Sequence, residues 1–348
     1  ETTNRCNLLC TTCPRTYEEL EPPADMSWEL FTRIVDQVPN IARAARVLRP
    51  DAKGGTLWEQ LVLPRAVSTL GAGVLFSPAY TAPLATRLPT VVAVHDVSYA
   101  AHPEWFRPSE RMRRNAVSRL AARRAARVTT LSAFSAGEIA RLFRVDRASI
   151  AVIPPGAPAR VPAPAGAARE PLVVYVGSIF NRRHVPVLVD AFARVARARP
   201  DARLFLAGAN RTWPRQDIAA AIAASGVAPR ITWREDASNA DVASALSRAS
   251  AGAFLSEYEG FAMTPFEALA HGVPSVLLDT RAAREVYGDA ALLIDRPDAA
   301  AAAAALLRLL DEPATRAALV ARGDRLWERY DWARSAAAML DVLREAAR

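Results

Sequence analysis

The chain has 348 residues, 51% of them apolar, and a formal net charge of +8. At about 150 residues per domain that length suggests two domains, and the apolar fraction is ample for two cores. The charge does not argue for nucleic acid: Lys53 is the only lysine, nearly all the other positive charge is arginine, and alanine is abundant, which reads as coding bias. The longest apolar tract, residues 299–307, is mostly alanine and too short to span a bilayer. No secretory leader pattern opens the chain. All three cysteines lie within the first thirteen residues, so no disulfide framework is expected and a reducing cytoplasm fits.

In chain order, Cys6, Cys10 and Cys13 come first, spaced C-x3-C-x2-C. Three thiolates so spaced can hold three irons of a four-iron, four-sulfur cluster and leave the fourth open. With Thr3-Asn4-Arg5-Cys6-Asn7 and Cys13-Pro14, the segment resembles the radical S-adenosylmethionine enzymes over residues 1–42. That resemblance implies an iron–sulfur cluster and S-adenosylmethionine if the fragment functions. A helix over residues 26–38, capped by Ser27, would follow the cysteine loop. The family's long barrel does not follow, so residues 1–45 are expected to be a non-functional fragment, with adventitious metal binding as the alternative.

Residues 46–165 read as a first α/β half. A helix is expected over residues 57–70, and strands over 73–77, 90–94, 127–131 and 151–153. The strand at 90–94 delivers His95 and Asp96 at its carboxyl end, where open parallel sheets bind ligands. Residues 109–127 form an arginine-rich helix with an apolar stripe of Met112, Ala116, Val117 and Leu120. Its ordinary reading is a solvated face, and contact with an anionic membrane is the alternative. Ser135 and Glu138 have the spacing of a capping box opening the next helix. Residues 157–168, rich in Pro and Ala, mark the domain boundary.

The second half, residues 166–331, alternates strands (171–176, 202–207, 230–233, 251–255, 275–278, 292–294) with helices, the pattern of a doubly wound parallel sheet. Residues 332–346 form a terminal helix that could pack back on the first half. Asn181-Arg182-Arg183-His184 follows the first strand, where an arginine fork can neutralise a diphosphate. Residues 256–274 hold the densest signal. An apolar strand leads to Glu257 and Glu259, a Gly260-Phe261 turn follows, and Thr264-Pro265-Phe266-Glu267 reads as a helix start. Thr264 would be its N-cap and Glu267 the far half of a capping box. A strand that delivers acids to a helix N-terminus suits an anion. Trp213, Trp233 and Trp327 are expected in the core or at its rim.

From about residue 57 onward the chain resembles retaining glycosyltransferases of family 4. The resemblance rests on residues 90–106 (TVVAVHDVSYAAHPEWF), Thr130-Leu-Ser-Ala-Phe-Ser135, Ile153-Pro-Pro-Gly156, residues 175–184 (YVGSIFNRRH), the E-x7-E element from Glu259 to Glu267, and residues 288–295 (GDAALLID). It implies a GT-B fold: α/β, two Rossmann-like doubly wound domains facing a cleft. The first is expected to be incomplete, because the family's opening strand and glycine-rich loop are not recognised. It also implies transfer of a sugar, with mannose or rhamnose as the guess, from a nucleoside-diphosphate sugar to a glycan or lipid-linked acceptor, with retention and without a metal. By position, His95 and Glu259 would lie at the reacting sugar, and Gly177, Arg182 and Arg183 at the diphosphate. The backbone of Gly260, Phe261, Ala262, Met263 and Thr264 would meet sugar and diphosphate, and Glu267 would bind the ribose. Arg183 stands where the family usually has lysine. A nucleotide-sugar binder without turnover is the alternative.

Overall fold

The computed structural model describes residues 57–69, 71–162 and 169–348. Cys6, Cys10 and Cys13, the expected helix after them and the last part of the Pro/Ala-rich linker lie outside the described residues. Two parallel sheets organise the rest.

The first sheet runs β1 (Leu75–Ser77), β2 (Thr90–Ala93), β3 (Arg127–Thr130) and β4 (Ile150–Val152), paired in that order, all parallel. A π-helical turn, Trp58–Val62, leads into α1 (Leu63–Ser68) before it; α2 (Ser98–Ala101), α3 (Pro108–Arg124) and α4 (Ala133–Phe143) lie between its strands. Val92, Val94, Val128, Ile139 and Phe143 are buried together at its centre.

The second sheet contains β5 (Glu170–Val176), β6 (Arg203–Ala207), β7 (Ile231–Arg234), β8 (Ala249–Phe254), β9 (Ser275–Leu278) and β10 (Leu292–Ile294). Their order is β10-β9-β8-β5-β6-β7. The helices are α5 (Val185–Ala198), α6 (Ile218–Ala224), α7 (Asn239–Arg248), α8 (Met263–Ala270), α9 (Arg281–Val286), α10 (Ala299–Asp311), α11 (Pro313–Arg329) and α12 (Trp332–Ala346). Every residue of β8 and β9 is buried, which is why these strands are unbroken small or apolar runs and not alternating ones. The chain winds outward from β5 through β6 and β7, then returns to β8 on β5's other side. The strand order therefore reverses between β5 and β8. Their carboxyl ends flank a crevice that the sheet itself leaves open to a ligand.

The chain crosses between the halves at two adjacent places. Ala157 donates its amide to the Tyr330 carbonyl at 2.9 Å, so the outgoing and returning segments run side by side. After the return, α12 buries Val342 and Ala346 against Val91 and Ile153 of the first half. The Ser335 hydroxyl donates to the Pro154 carbonyl at 2.6 Å.

Three local expectations are corrected. Helix α4 is capped by Ser132, whose extended backbone lets its hydroxyl accept the Ser135 amide; Ser135 lies inside the first turn, and Glu138 pairs with Arg141 instead. Helix α8 starts at Met263 behind Ala262, which takes a left-handed conformation (φ 65°) and offers no side-chain cap. Thr264 and Glu267 are therefore inside the helix and form no capping box. Helix α3 buries Ser118, Ala121 and Ala122, while Met112 and Leu120 of the expected apolar stripe are exposed.

Candidate active site

The site is built where β5 and β8 end. Gly177 follows β5 with φ +123°, a region that favours glycine. A Cβ there would come 2.7 Å from a terminal nitrogen of Arg183, so the missing side chain is what admits this guanidinium. Arg183 is buried. It donates from Nε to Glu259 at 3.1 Å and from a terminal nitrogen to the Ser178 carbonyl at 2.9 Å, and it lies over the Phe254 ring. Arg182, also buried, donates to the Tyr258 carbonyl at 3.1 Å and approaches Glu259 at 3.6 Å.

Glu259 thus sits between two guanidiniums, and the Ser256 hydroxyl donates to it at 2.8 Å. Burial pushes its carboxyl up, but Arg183, Arg182 and Ser256 outweigh burial and hold it below the ordinary carboxylate value. For Arg183, burial pulls down and the Glu259 charge more than restores it, so it stays fully charged. Two cations and one anion leave one net positive charge at the crevice, beside the uncapped start of α8. Both features favour an anion.

Glu267 has the opposite environment. It is 8% exposed and lines a small pocket with Val174, Val176, Gly252, Phe254, Thr264 and Ser275. Its Oε1 has no hydrogen-bond partner among the described residues. Burial alone drives its carboxyl up to about 8. The Thr264 hydroxyl lies 3.8 Å from where a Gly177 Cβ would be, so this pocket adjoins the arginine pair.

His95 comes from the other half, directly after β2. A Cβ on Gly260 would lie 2.4 Å from the His95 carbonyl oxygen and 3.4 Å from the Ser135 hydroxyl. The His95 carbonyl therefore faces the Glu259-Gly260 turn, with only a glycine between. Burial pulls the His95 imidazole below its ordinary value, against the opposing influence of Asp96 and the Pro78 backbone. Asp96 is occupied locally: it accepts the Ser98 amide at 2.8 Å and the Tyr80 hydroxyl at 3.2 Å.

The structure thus brings His95, Gly177, Arg182, Arg183, Glu259, Gly260 and Thr264 to one crevice, with Glu267 in the adjoining pocket. Phe261 is buried against Tyr330, and the Ala262 carbonyl accepts the Tyr287 hydroxyl, which fixes the turn into α8. Met263 opens the helix. Other residues at the crevice carried little sequence signal. Tyr258 presents its ring to His102 and Phe134 of the first half, at 5.3 Å each. Glu257 pairs with His184 at 2.9 Å. The sequence places Glu257 with Glu259 at the end of its strand, whereas only proximity to the E-x7-E element could have drawn attention to Tyr258. Among the described residues, no group of three or more His, Cys, Asp or Glu could hold a metal ion, and no helix is long and apolar enough to cross a membrane.

Two family models match along the chain. Glycosyltransferase Family 4 covers residues 8–160, and Glycosyl transferases group 1 covers residues 170–312. Each half of the chain thus matches a glycosyltransferase family model, and the fold is of the GT-B type. The first match begins between Cys6 and Cys10, inside the segment that resembles radical S-adenosylmethionine enzymes. Among curated relatives, an MMP alpha-(1->4)-mannosyltransferase of Mycolicibacterium hassiacum is 28% identical over 74% of this chain and 66% of its own length. A glycogen synthase of Mycobacterium tuberculosis is 30% identical over 75% of this chain and 64% of its own. The chain therefore spans just under two thirds of these relatives. Among solved structures, Anabaena HepE in complex with UDP and glucose superposes with a TM-score of 0.66 at 19% identity, covering 84% of this chain and 83% of that one. Sucrose-phosphate synthase from Thermosynechococcus elongatus has the same TM-score and identity over 93% and 81%.

Proposed function

We propose that this chain moves a sugar, mannose- or rhamnose-like in the first instance, from a nucleoside-diphosphate sugar to a glycan or lipid-linked acceptor with retained anomeric configuration. The observation that carries the reading is the meeting of the His95 carbonyl with the Glu259-Gly260 turn at the β5/β8 crevice, beside the partnerless carboxyl of Glu267. The ribose hydroxyls donate to Glu267 and supply the partner its Oε1 lacks. The diphosphate takes the net positive charge of Arg182, Arg183 and Glu259, together with the amides that open α8. The donor sugar then lies under the His95 carbonyl, whose partial negative charge faces the anomeric carbon as positive charge develops there.

In the transfer step the bond from the anomeric carbon to the diphosphate oxygen breaks. The acceptor oxygen bonds to that carbon on the same face, and its proton passes to the departing diphosphate. Glu259, held ionised by two guanidiniums, orients the sugar and carries no proton. The binding of UDP and glucose by Anabaena HepE and the mannosyl transfer named for the Mycolicibacterium relative support this reading.

Titration calorimetry with UDP- and GDP-sugars tests it. One donor should bind, and Glu267→Ala should weaken that binding by about tenfold or more, the loss expected for hydrogen bonds to a charged group. If no sugar nucleotide binds, the reading fails. Binding without release of sugar to any acceptor or to water makes the chain a nucleotide-sugar binding protein.

A further inference from the structure

Glu285 is the penultimate residue of α9 in the second half, away from the E-x7-E element in sequence. Its carboxylate reaches across to the first half and accepts two backbone amides there: Ala133 at 2.6 Å and Phe134 at 2.9 Å. These are the first two residues of α4, where amides have no partner within the helix. Ser132 takes the Ser135 amide at 3.1 Å, so side chains from both halves complete this helix start. The contact joins a carboxylate to the positive end of an eleven-residue helix, a favourable charge arrangement. Within the first turn of that helix, the Ser135 hydroxyl reaches the Gly260 carbonyl at 3.5 Å. The Phe134 ring packs on Tyr258, two residues before Gly260.

We infer that Glu285 is a positioning residue for transfer: it clasps the start of α4 and so sets the first half against the Glu259-Gly260 turn. The distance between the His95 carbonyl and the donor site depends on how the two halves close. Only backbone lies between His95 and Gly260, so little slack exists at that point. The clasp acts through Ala133, Phe134 and Ser135, and Glu285 itself touches neither donor nor acceptor. A second lip contact, Arg107 of the first half over Trp213 of the second at 4.9 Å, lies away from the Glu259-Gly260 turn. It is softer than a carboxylate bound by two amides, as are the ring contacts of Tyr258 with His102 and Phe134, so Glu285 makes the strongest of these contacts across the lips.

This inference rests on the glycosyl-transfer reading for its catalytic consequence, but not for the contact itself. The experiment compares the wild type with Glu285→Gln, which keeps shape but loses the charge and one acceptor. Hydrogen exchange of the peptide holding Ala133 and Phe134 is followed in both, alongside sugar-nucleotide affinity and turnover. The expected result is faster exchange at these amides, unchanged affinity to within about twofold and a fall of about tenfold or more in kcat. Unchanged exchange overturns the clasp, and so does turnover at the wild-type rate. A variant that loses affinity as much as turnover also overturns it, because it shows damage to the second half and not lost closure. A wild-type chain with protected amides that transfers no sugar counts against glycosyl transfer and leaves the contact standing.

Discussion

The buried, partnerless carboxyl of Glu267 gives nucleotide binding a proton that can be counted. In the empty site it titrates near 8, so at pH 7 it is mostly protonated. Two ribose hydroxyls donating one to each oxygen favour the ionised form, in which both oxygens only accept. Donor binding at pH 7 should then release most of a proton, because the free-state value lies above that pH. Affinity should climb with pH by up to about tenfold per unit from pH 6 and level off above pH 8. Titration calorimetry in two buffers of different ionisation enthalpy counts the proton, with an intact sugar nucleotide whose phosphates do not titrate in this range. In Glu267→Gln the release and the slope should vanish. His95, His102 and His184 remain in that variant, so a slope lost with it belongs to Glu267. Equal proton release in both proteins, or none in the wild type, would refute the reasoning.

The same shift fixes a sign in stability. Folding raises this carboxyl's pKa, so between 4.5 and about 8 the folded chain holds the extra proton. Its contribution is complete below 4.5 and is lost as pH rises to 8. Over that span, at about 1.4 kcal/mol per unit, the loss is of order 5 kcal/mol. Glu267→Gln should therefore outlast the wild type in urea at pH 9 and match it near pH 5.

Two further substitutions probe the crevice. Gly260→Ala places a Cβ 2.4 Å from the His95 carbonyl, where backbone on both sides resists, so the halves must part. We expect kcat to fall by about tenfold or more with nucleotide affinity held within about twofold, read by steady-state kinetics and calorimetry; unchanged kcat would remove the His95 carbonyl from the reaction centre. Arg183→Met breaks a buried ion pair and leaves Glu259 with the longer Arg182 contact and the Ser256 hydroxyl. Urea unfolding should show a loss of about 3 kcal/mol, since one partner's removal strands the other's charge; a loss below about 1 kcal/mol would mean that the pair is not buried in solution.

The strands were legible because parallel strands covered on both faces are short, dense runs such as Thr90-Val-Val-Ala93 and Ser275-Val-Leu-Leu278, bounded by glycine, proline or polar residues. Their order in the sheet was not. No local pattern says that β8 returns to β5 and does not continue beyond β7, yet that return creates the crevice. The caps were misread for a related reason. Ser135 with Glu138, and Thr264 with Glu267, both satisfy the local spacing of a capping box. In each case the helix begins earlier, and tertiary contacts decide where. Ser132 is free to cap because β3 ends just before it in an extended path. At α8, the Tyr287 hydroxyl holds the Ala262 carbonyl and the chain turns through a left-handed residue. The Glu285 clasp carried no signal at all, since it joins residues 152 positions apart.

Glu259 and Glu267 are eight residues apart and differ in every physical respect that matters to their use. One is held ionised by two guanidiniums and a hydroxyl; the other stands alone in a mostly apolar pocket and is driven neutral. Carboxyls split in this way often serve as base and acid in one reaction. Here the pocket argues against that division. A carboxyl that delivers a proton to a leaving group must reach the bond being broken, whereas Glu267 faces Val174, Val176 and Phe254 behind the start of α8. Glu259 cannot readily take a proton either, because protonation would leave two buried guanidiniums beside each other with no anion between them. What the two acids do supply is a difference in charge along one short turn: an anion fixed between two cations, and a neutral carboxyl that hydroxyl donors would favour in its ionised form. On the proposed reading, the proton freed at Glu267 is a signature of donor binding, and the transfer step draws its own proton from the acceptor.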